Sequence, residues 1–212
     1  MGDALNLLLM VPPLLFALTF HEYSHAWTAM RLGDPTSRLL GRLTLNPIAH
    51  LDLTGTAVFI LTQRFGWAKP VPVDERYLRH PRRDMMWIAM AGPISNVLLA
   101  LGFGCLLRFA VPISPRTGAT PLLLQMVAGS VEINIALAVF NLIPLFPLDG
   151  SRILSGVLSP GLAERYRAFE PVSPFVLLGI VVLGMMTGVN LFGYVIYPVV
   201  YILGGLFTGG IL

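Results

Sequence analysis

Leu14-Leu15-Phe16-Ala17-Leu18-Thr19-Phe20-His21-Glu22-Tyr23-Ser24-His25-Ala26-Trp27-Thr28-Ala29-Met30 is an apolar run with three ionisable side chains at its centre. No charged residue lies between Leu5 and Phe20, and Arg31 ends the run. His21 and His25 are four apart, so on a helix both imidazoles project from one face and reach one metal ion. Glu22 sits beside them and is placed to take a proton from a water activated by that metal. Ionisable groups within an apolar helix are costly unless they have a task there. The pattern therefore points to water chemistry inside a lipid bilayer.

The composition agrees. Of 212 residues, 55% are hydrophobic and 12% charged, and the mean hydropathy is +0.75. A typical soluble domain is about one-quarter charged. The expected fold is an all-α polytopic membrane protein, organised as a single domain over 1–212. The net charge of +3 does not argue for nucleic acid, because the basic residues cluster in loops beside apolar spans. The lone Cys105 excludes an intramolecular disulfide and a four-cysteine zinc site, and reads as a small buried hydrophobe. No Lys or Arg precedes the first apolar run, so residues 4–30 are expected to stay as a helix, bent or broken at Pro12 and Pro13.

A spanning helix needs about 20 apolar residues. Segments 4–30, 85–110, 121–147 and 172–208 meet or exceed this, and Thr187-Gly188-Val189-Asn190 divides the last. A short helix is expected from about Asp149 to Leu158. The total is four to six transmembrane helices. Nine of the fourteen basic residues, Arg31, Arg38, Arg42, Arg64, Lys69, Arg76, Arg79, Arg82 and Arg83, fall between the first two spans. Arg152, Arg165 and Arg167 follow the third. The positive-inside rule puts 31–84 and 152–170 in the cytoplasm, the 108–120 loop outside, and His21 and His25 near the cytoplasmic face of a multi-pass cell-membrane protein.

Segment 31–84 carries structure of its own. Arg42 to Leu45 alternates like a short strand, Leu51 to Leu61 is apolar but too short to span, and Gly66 to Val73 is extended around Pro70 and Pro72. This makes a short strand or re-entrant segment on the cytoplasmic side, whose edges at 42–45 and 67–73 are expected to accept an added substrate strand. His50 with Asp52 is a rival metal pair, although a hydrogen-bonded loop histidine is the plainer reading. His80 is expected in solvent.

A catalytic zinc site usually takes three protein ligands. Asp149 is the best third candidate, since the third span brings it to the same face as His21 and His25. The competing role is a helix N-cap. Pro144 and Pro147 break the helix where it lines a polar cavity, and Gly150 permits close backbone approach.

His21-Glu22-Tyr23-Ser24-His25, taken with Asn141-x-x-Pro144-x-x-x-Leu148-Asp149-Gly150, resembles the site-2 protease family of intramembrane zinc metalloproteases in its minimal single-domain prokaryotic form. Gly92-Pro93-Ile94-Ser95-Asn96 and the Gly66–Val73 run carry the same resemblance. The resemblance implies a Zn2+ ion bound by His21, His25 and Asp149, with Glu22 as general base and Asn141 stabilising the oxyanion or positioning the scissile peptide. The implied substrate is a peptide bond in or near a transmembrane segment of another membrane protein. Asn141 has a plainer role in satisfying carbonyls freed by Pro144, and Asn96 is read as packing helices or lining the substrate path. Two other functions fit the same residues: an inactive zinc-binding relative, and a metal-ion transporter. The scarcity of ionisable residues in the other spans disfavours transport.

Overall fold

The computed structural model describes residues 2–62, 66–110 and 122–212. Arg64 and most of the 108–120 loop, with Arg116, lie outside the described residues. The helices are α1 (Gly2–Leu32), α2 (Thr36–Leu39), α3 (Leu53–Thr62), α4 (Pro81–Ala110), α5 (Leu122–Asn141), α6 (Asp149–Val157), α7 (Pro160–Arg167), α8 (Ser173–Thr187) and α9 (Leu191–Thr208). Short 3-10 turns occupy Pro47–His50 and Glu75–Tyr77. Among the described residues no strand forms, so the protein is all-α.

Helices α4, α5 and α9 are long and apolar enough to cross a membrane, and α8 is a shorter apolar helix. Beside them α1 runs for 31 residues and carries the ionisable motif. The expected division of 172–208 holds: Gly188 ends α8 with φ 73°, and the Asn190 side chain accepts from the Gly193 amide to start α9. The expected bend or break at Pro12 and Pro13 does not interrupt α1, which continues through both. Two adjacent prolines remove two amide donors, a loss that a helix packed among other helices tolerates.

Helix α4 is the hub, packing on α1, α5, α6 and α9. Small residues set its approach to α1. Ala17, Ala26 and Ala29 on α1 and Ala89 on α4 are buried to 1% or less. Without bulky side chains between them the two backbones come close, as in other membrane helix pairs. Ala100 of α4 then packs with Val131 and Ile135 of α5 against α9. Cys105 departs from the buried expectation. It faces outward from α4 on the same surface as Leu101, Leu106 and Phe109.

The segment between α1 and α4 folds against one end of this bundle. Ala29, Leu78, Met85 and Ile88 form a small core there. Fully buried Asp34 accepts from the Thr36 amide at 2.9 Å, the Thr36 hydroxyl at 2.5 Å and the Asp74 amide at 2.8 Å. The Arg42 guanidinium donates to the Lys69 and Pro70 carbonyls. The expected strand at 42–45 is absent. Arg42 points inward, Thr44 Oγ1 accepts from the Asn46 amide, and the Thr44 carbonyl accepts from His50 Nε2. These local bonds use groups that a strand ladder would need. Residues 66–73 are neither helix nor strand, and Ala68 forms an isolated antiparallel bridge with Leu51, with the Lys69 amide donating to the His50 carbonyl. Apolar 53–62 becomes α3, a ten-residue helix with Leu53, Ile60 and Leu61 exposed.

The third long helix stops at Asn141, and α6 begins at Asp149. Arg82, at the start of α4, donates to the Ser155 and Gly156 carbonyls at the far end of α6. Basic segments 31–83 and 152–167 thus gather at one end of the bundle. Asp34→Ala strips a buried acceptor from two backbone amides and a hydroxyl. It should cost about 1–3 kcal/mol, read as a lower Tm in detergent with earlier proteolysis within 66–78.

Candidate metal centre

Three side chains converge where α1, α4 and α6 meet. His21 and His25 project from α1 one turn apart, with ring centroids 4.6 Å apart and planes at 86°. Asp149 reaches them from the first turn of α6. Its Oδ2 lies 3.1 Å from His21 Nε2 and 3.3 Å from His25 Nε2. The three ligand atoms all lie within 4.8 Å of one another. His21 and His25 are 4% and 8% exposed, so the cluster sits inside the bundle.

The far side of each imidazole settles its tautomer. His21 Nδ1 is 2.6 Å from Asn96 Oδ1, and His25 Nδ1 is 2.7 Å from the Ile88 carbonyl. Both partners are acceptors, so each Nδ1 carries the proton. Each Nε2 then faces Asp149 Oδ2, which is buried between the two rings. Two ring nitrogens and a carboxylate oxygen at this spacing call for a cation among them, a proton or a metal ion. Tetrahedral zinc with ligand bonds of about 2.0–2.1 Å spaces its ligands about 3.3 Å apart, close to the two distances seen. The donor set fits the metal.

Local backbone explains how these groups come together. Asp149 is not an N-cap: Leu148 occupies that position, and Asp149 is the first helical residue. A carboxylate there is favoured by the helix dipole. A Cβ on Gly150 would overlap the Leu142 carbonyl group, so only glycine lets the 142–148 turn fold onto α6. Tyr166 of α7 holds that turn by donating to the Pro144 carbonyl at 2.8 Å. Gly92 of α4 sits against both rings. A Cβ built there would lie 2.5 Å from His25 Nε2 and 2.6 Å from His21 Nε2. The ligand nitrogens occupy the space that any other residue at 92 would fill.

None of the remaining candidates hydrogen-bonds to this triad. Glu22 is 9% exposed and makes no hydrogen bond or ion pair with a described residue. Asn141 ends α5, half-buried, and donates to the Leu137 carbonyl at 3.0 Å. His50 is buried and donates from Nε2 to the Thr44 carbonyl, a hydrogen-bonded loop histidine. Asp52 accepts from the Gly55 amide instead of pairing with it. His80 is exposed. The sequence reading missed the partnership of Asn96 with His21. The available signal was a side-chain amide in an otherwise apolar span, one turn after Gly92.

No protein-family model matches the chain, and no solved structure matches it. Known proteins do. A Bacillus subtilis protein named "Putative zinc metalloprotease YwhC" is 38% identical over 191 residues, covering 89% of this chain and 84% of that protein. A Mycolicibacterium smegmatis protein named "Putative zinc metalloprotease Rip2" is 29% identical, over 86% of this chain and 69% of its own length. Its Mycobacterium tuberculosis namesake is 31% identical, over 83% and 66%. Together with the convergent His-His-Asp cluster in a helical membrane bundle, this similarity establishes that the chain belongs to the site-2 protease-like family of zinc metalloproteases.

Proposed function

We propose that this protein is an intramembrane zinc endopeptidase that hydrolyses a peptide bond in or near a transmembrane segment of another membrane protein. The observation that carries the reading is the convergence of His21 Nε2, His25 Nε2 and Asp149 Oδ2 within an apolar bundle, with Glu22 directly after His21 in α1. His21, His25 and Asp149 would hold the metal. Bound there, zinc supplies a Lewis acid that lowers the pKa of water and polarises the scissile carbonyl.

The chain's own residues do the rest. Glu22 accepts a proton from the attacking water as the new C–O bond forms. It returns that proton to the amine as the C–N bond breaks. Asn141 uses one amide hydrogen on the Leu137 carbonyl, which leaves its second hydrogen for the oxyanion. Burial strengthens each of these interactions, because little water screens them. The arginine distribution supports an orientation with the site toward the cytoplasmic face of the cell membrane, where a substrate's transmembrane helix would unwind.

Glu22→Gln should keep zinc near one equivalent per chain and slow cleavage of membrane-embedded peptides by about 100-fold or more. Wild-type cleavage should stop with a chelator and return with zinc. A fully active Glu22→Gln would sink the mechanism. Asp149→Ala should lower zinc content, measured by metal analysis of purified protein, and normal stoichiometry would remove it from the ligand set. Gly92→Ala should also abolish zinc retention and lower the Tm, since the added methyl would lie 2.5–2.6 Å from the two ring nitrogens and force them to move, an overlap that costs about 1–3 kcal/mol.

A further inference from the structure

The two imidazoles are held from behind in different ways. His25 donates to a backbone carbonyl, that of Ile88. His21 donates to a side chain, Asn96 of α4, and that side chain is itself held. Asn96 Nδ2 donates to the Ala17 carbonyl of α1 at 3.2 Å and to Asn134 Oδ1 of α5 at 2.8 Å. Asn134 Nδ2 in turn donates to the Ser130 carbonyl at 2.8 Å. Asn96 and Asn134 are both 0% exposed. With both Nδ2 hydrogens of Asn96 spent on acceptors, its Oδ1 can only face His21. The direction of every bond in the chain is fixed.

We propose that Asn96, backed by Asn134, is a positioning residue for the metal centre. It keeps the proton of His21 on Nδ1 and so aims the Nε2 lone pair at the metal position. The assignment rests on the zinc site of the proposed function, and deepens it. Gly92 and Asn96 lie one turn apart on the same face of α4. The first clears space for the rings, and the second sets the tautomer of one of them. A packing asparagine would need only to fill volume, but here the amide supplies an acceptor to His21 and donors to two other helices. Three helices are tied to a single ligand through two amides. Partners behind ligating histidines commonly change metal affinity by about 10–100-fold.

The test measures zinc affinity of the purified full chain in detergent, by competition with a chromophoric chelator. The visible absorption of the cobalt(II)-substituted protein is recorded in parallel. Asn96→Leu keeps the volume and removes the acceptor; its zinc Kd should rise about 10–100-fold, with weakened cobalt bands. Asn96→Asp keeps an acceptor for His21 but loses the donors to Ala17 and Asn134, so its affinity should fall clearly less than that of Asn96→Leu, with the cobalt bands retained. Asn134→Leu should weaken binding in the same direction by less than Asn96→Leu. If Asn96→Leu does not fold, judged by the thermal melt of the metal-free protein, Asn96→Ala carries the same expectation. Wild-type affinity and cobalt bands in the leucine or alanine variant would overturn the assignment. So would equal losses in the leucine and aspartate variants, which a packing role predicts. Cleavage is assayed on the same samples. Wild type that binds zinc but cleaves nothing counts against the protease reading alone, whereas an active wild type with a zinc-tight Asn96→Leu counts against Asn96 alone.

Discussion

Two imidazole nitrogens and a carboxylate oxygen crowded together inside the bundle are the constraint around which the protein is built. Buried polar and ionisable groups are expensive unless they are paired or hold a cation. The bundle holds them in place all the same. The alanines of α1 and Ala89 of α4 bring two backbones close, Gly92 leaves the rings their space, and Asn96 and the Ile88 carbonyl fix which nitrogen faces Asp149. The arrangement becomes favourable once a cation is shared, so metal binding and correct packing of α1, α4 and α6 support each other.

The segment between the first two long helices solves a different problem. It must return the chain to the bundle at the membrane edge without a sheet or a large core. Buried polar side chains take over that work. Asp34 gathers amides from two parts of the segment, and Arg42 ties it to the run at 69–70. A few charge-assisted hydrogen bonds thus stand in for hydrophobic area that the segment lacks.

Much of this was legible in the sequence, where local chemistry and tertiary context agree. Pro144 and Pro147 marked the break after Asn141, Asp149 opened a short helix, and Thr187 to Asn190 divided the last apolar run. Helical spacing paired His21 with His25 and the charge-based topology brought Asp149 to the same face, but Asp149 read equally as an N-cap until the family resemblance favoured it as a ligand. The misses share a cause, namely partners distant in sequence. Arg42 to Leu45 alternates like a strand, yet Arg42 bonds across to 69–70, a choice that periodicity cannot show. Cys105 is exposed among the described residues, and apolar composition does not separate lipid-facing from buried positions. Asn96 looked like a packing residue because its partners lie 75 and 38 positions away.

Helix α6 is anchored at both ends. Its first residue is Asp149, and its last turn is gripped by Arg82 through the Ser155 and Gly156 carbonyls. Nine helical residues span about 13 Å and behave as a stiff rod. Fixing one end of such a rod limits how freely the other end can turn, so the bonds from Arg82 to the Ser155 and Gly156 carbonyls also constrain where the Asp149 carboxylate can sit.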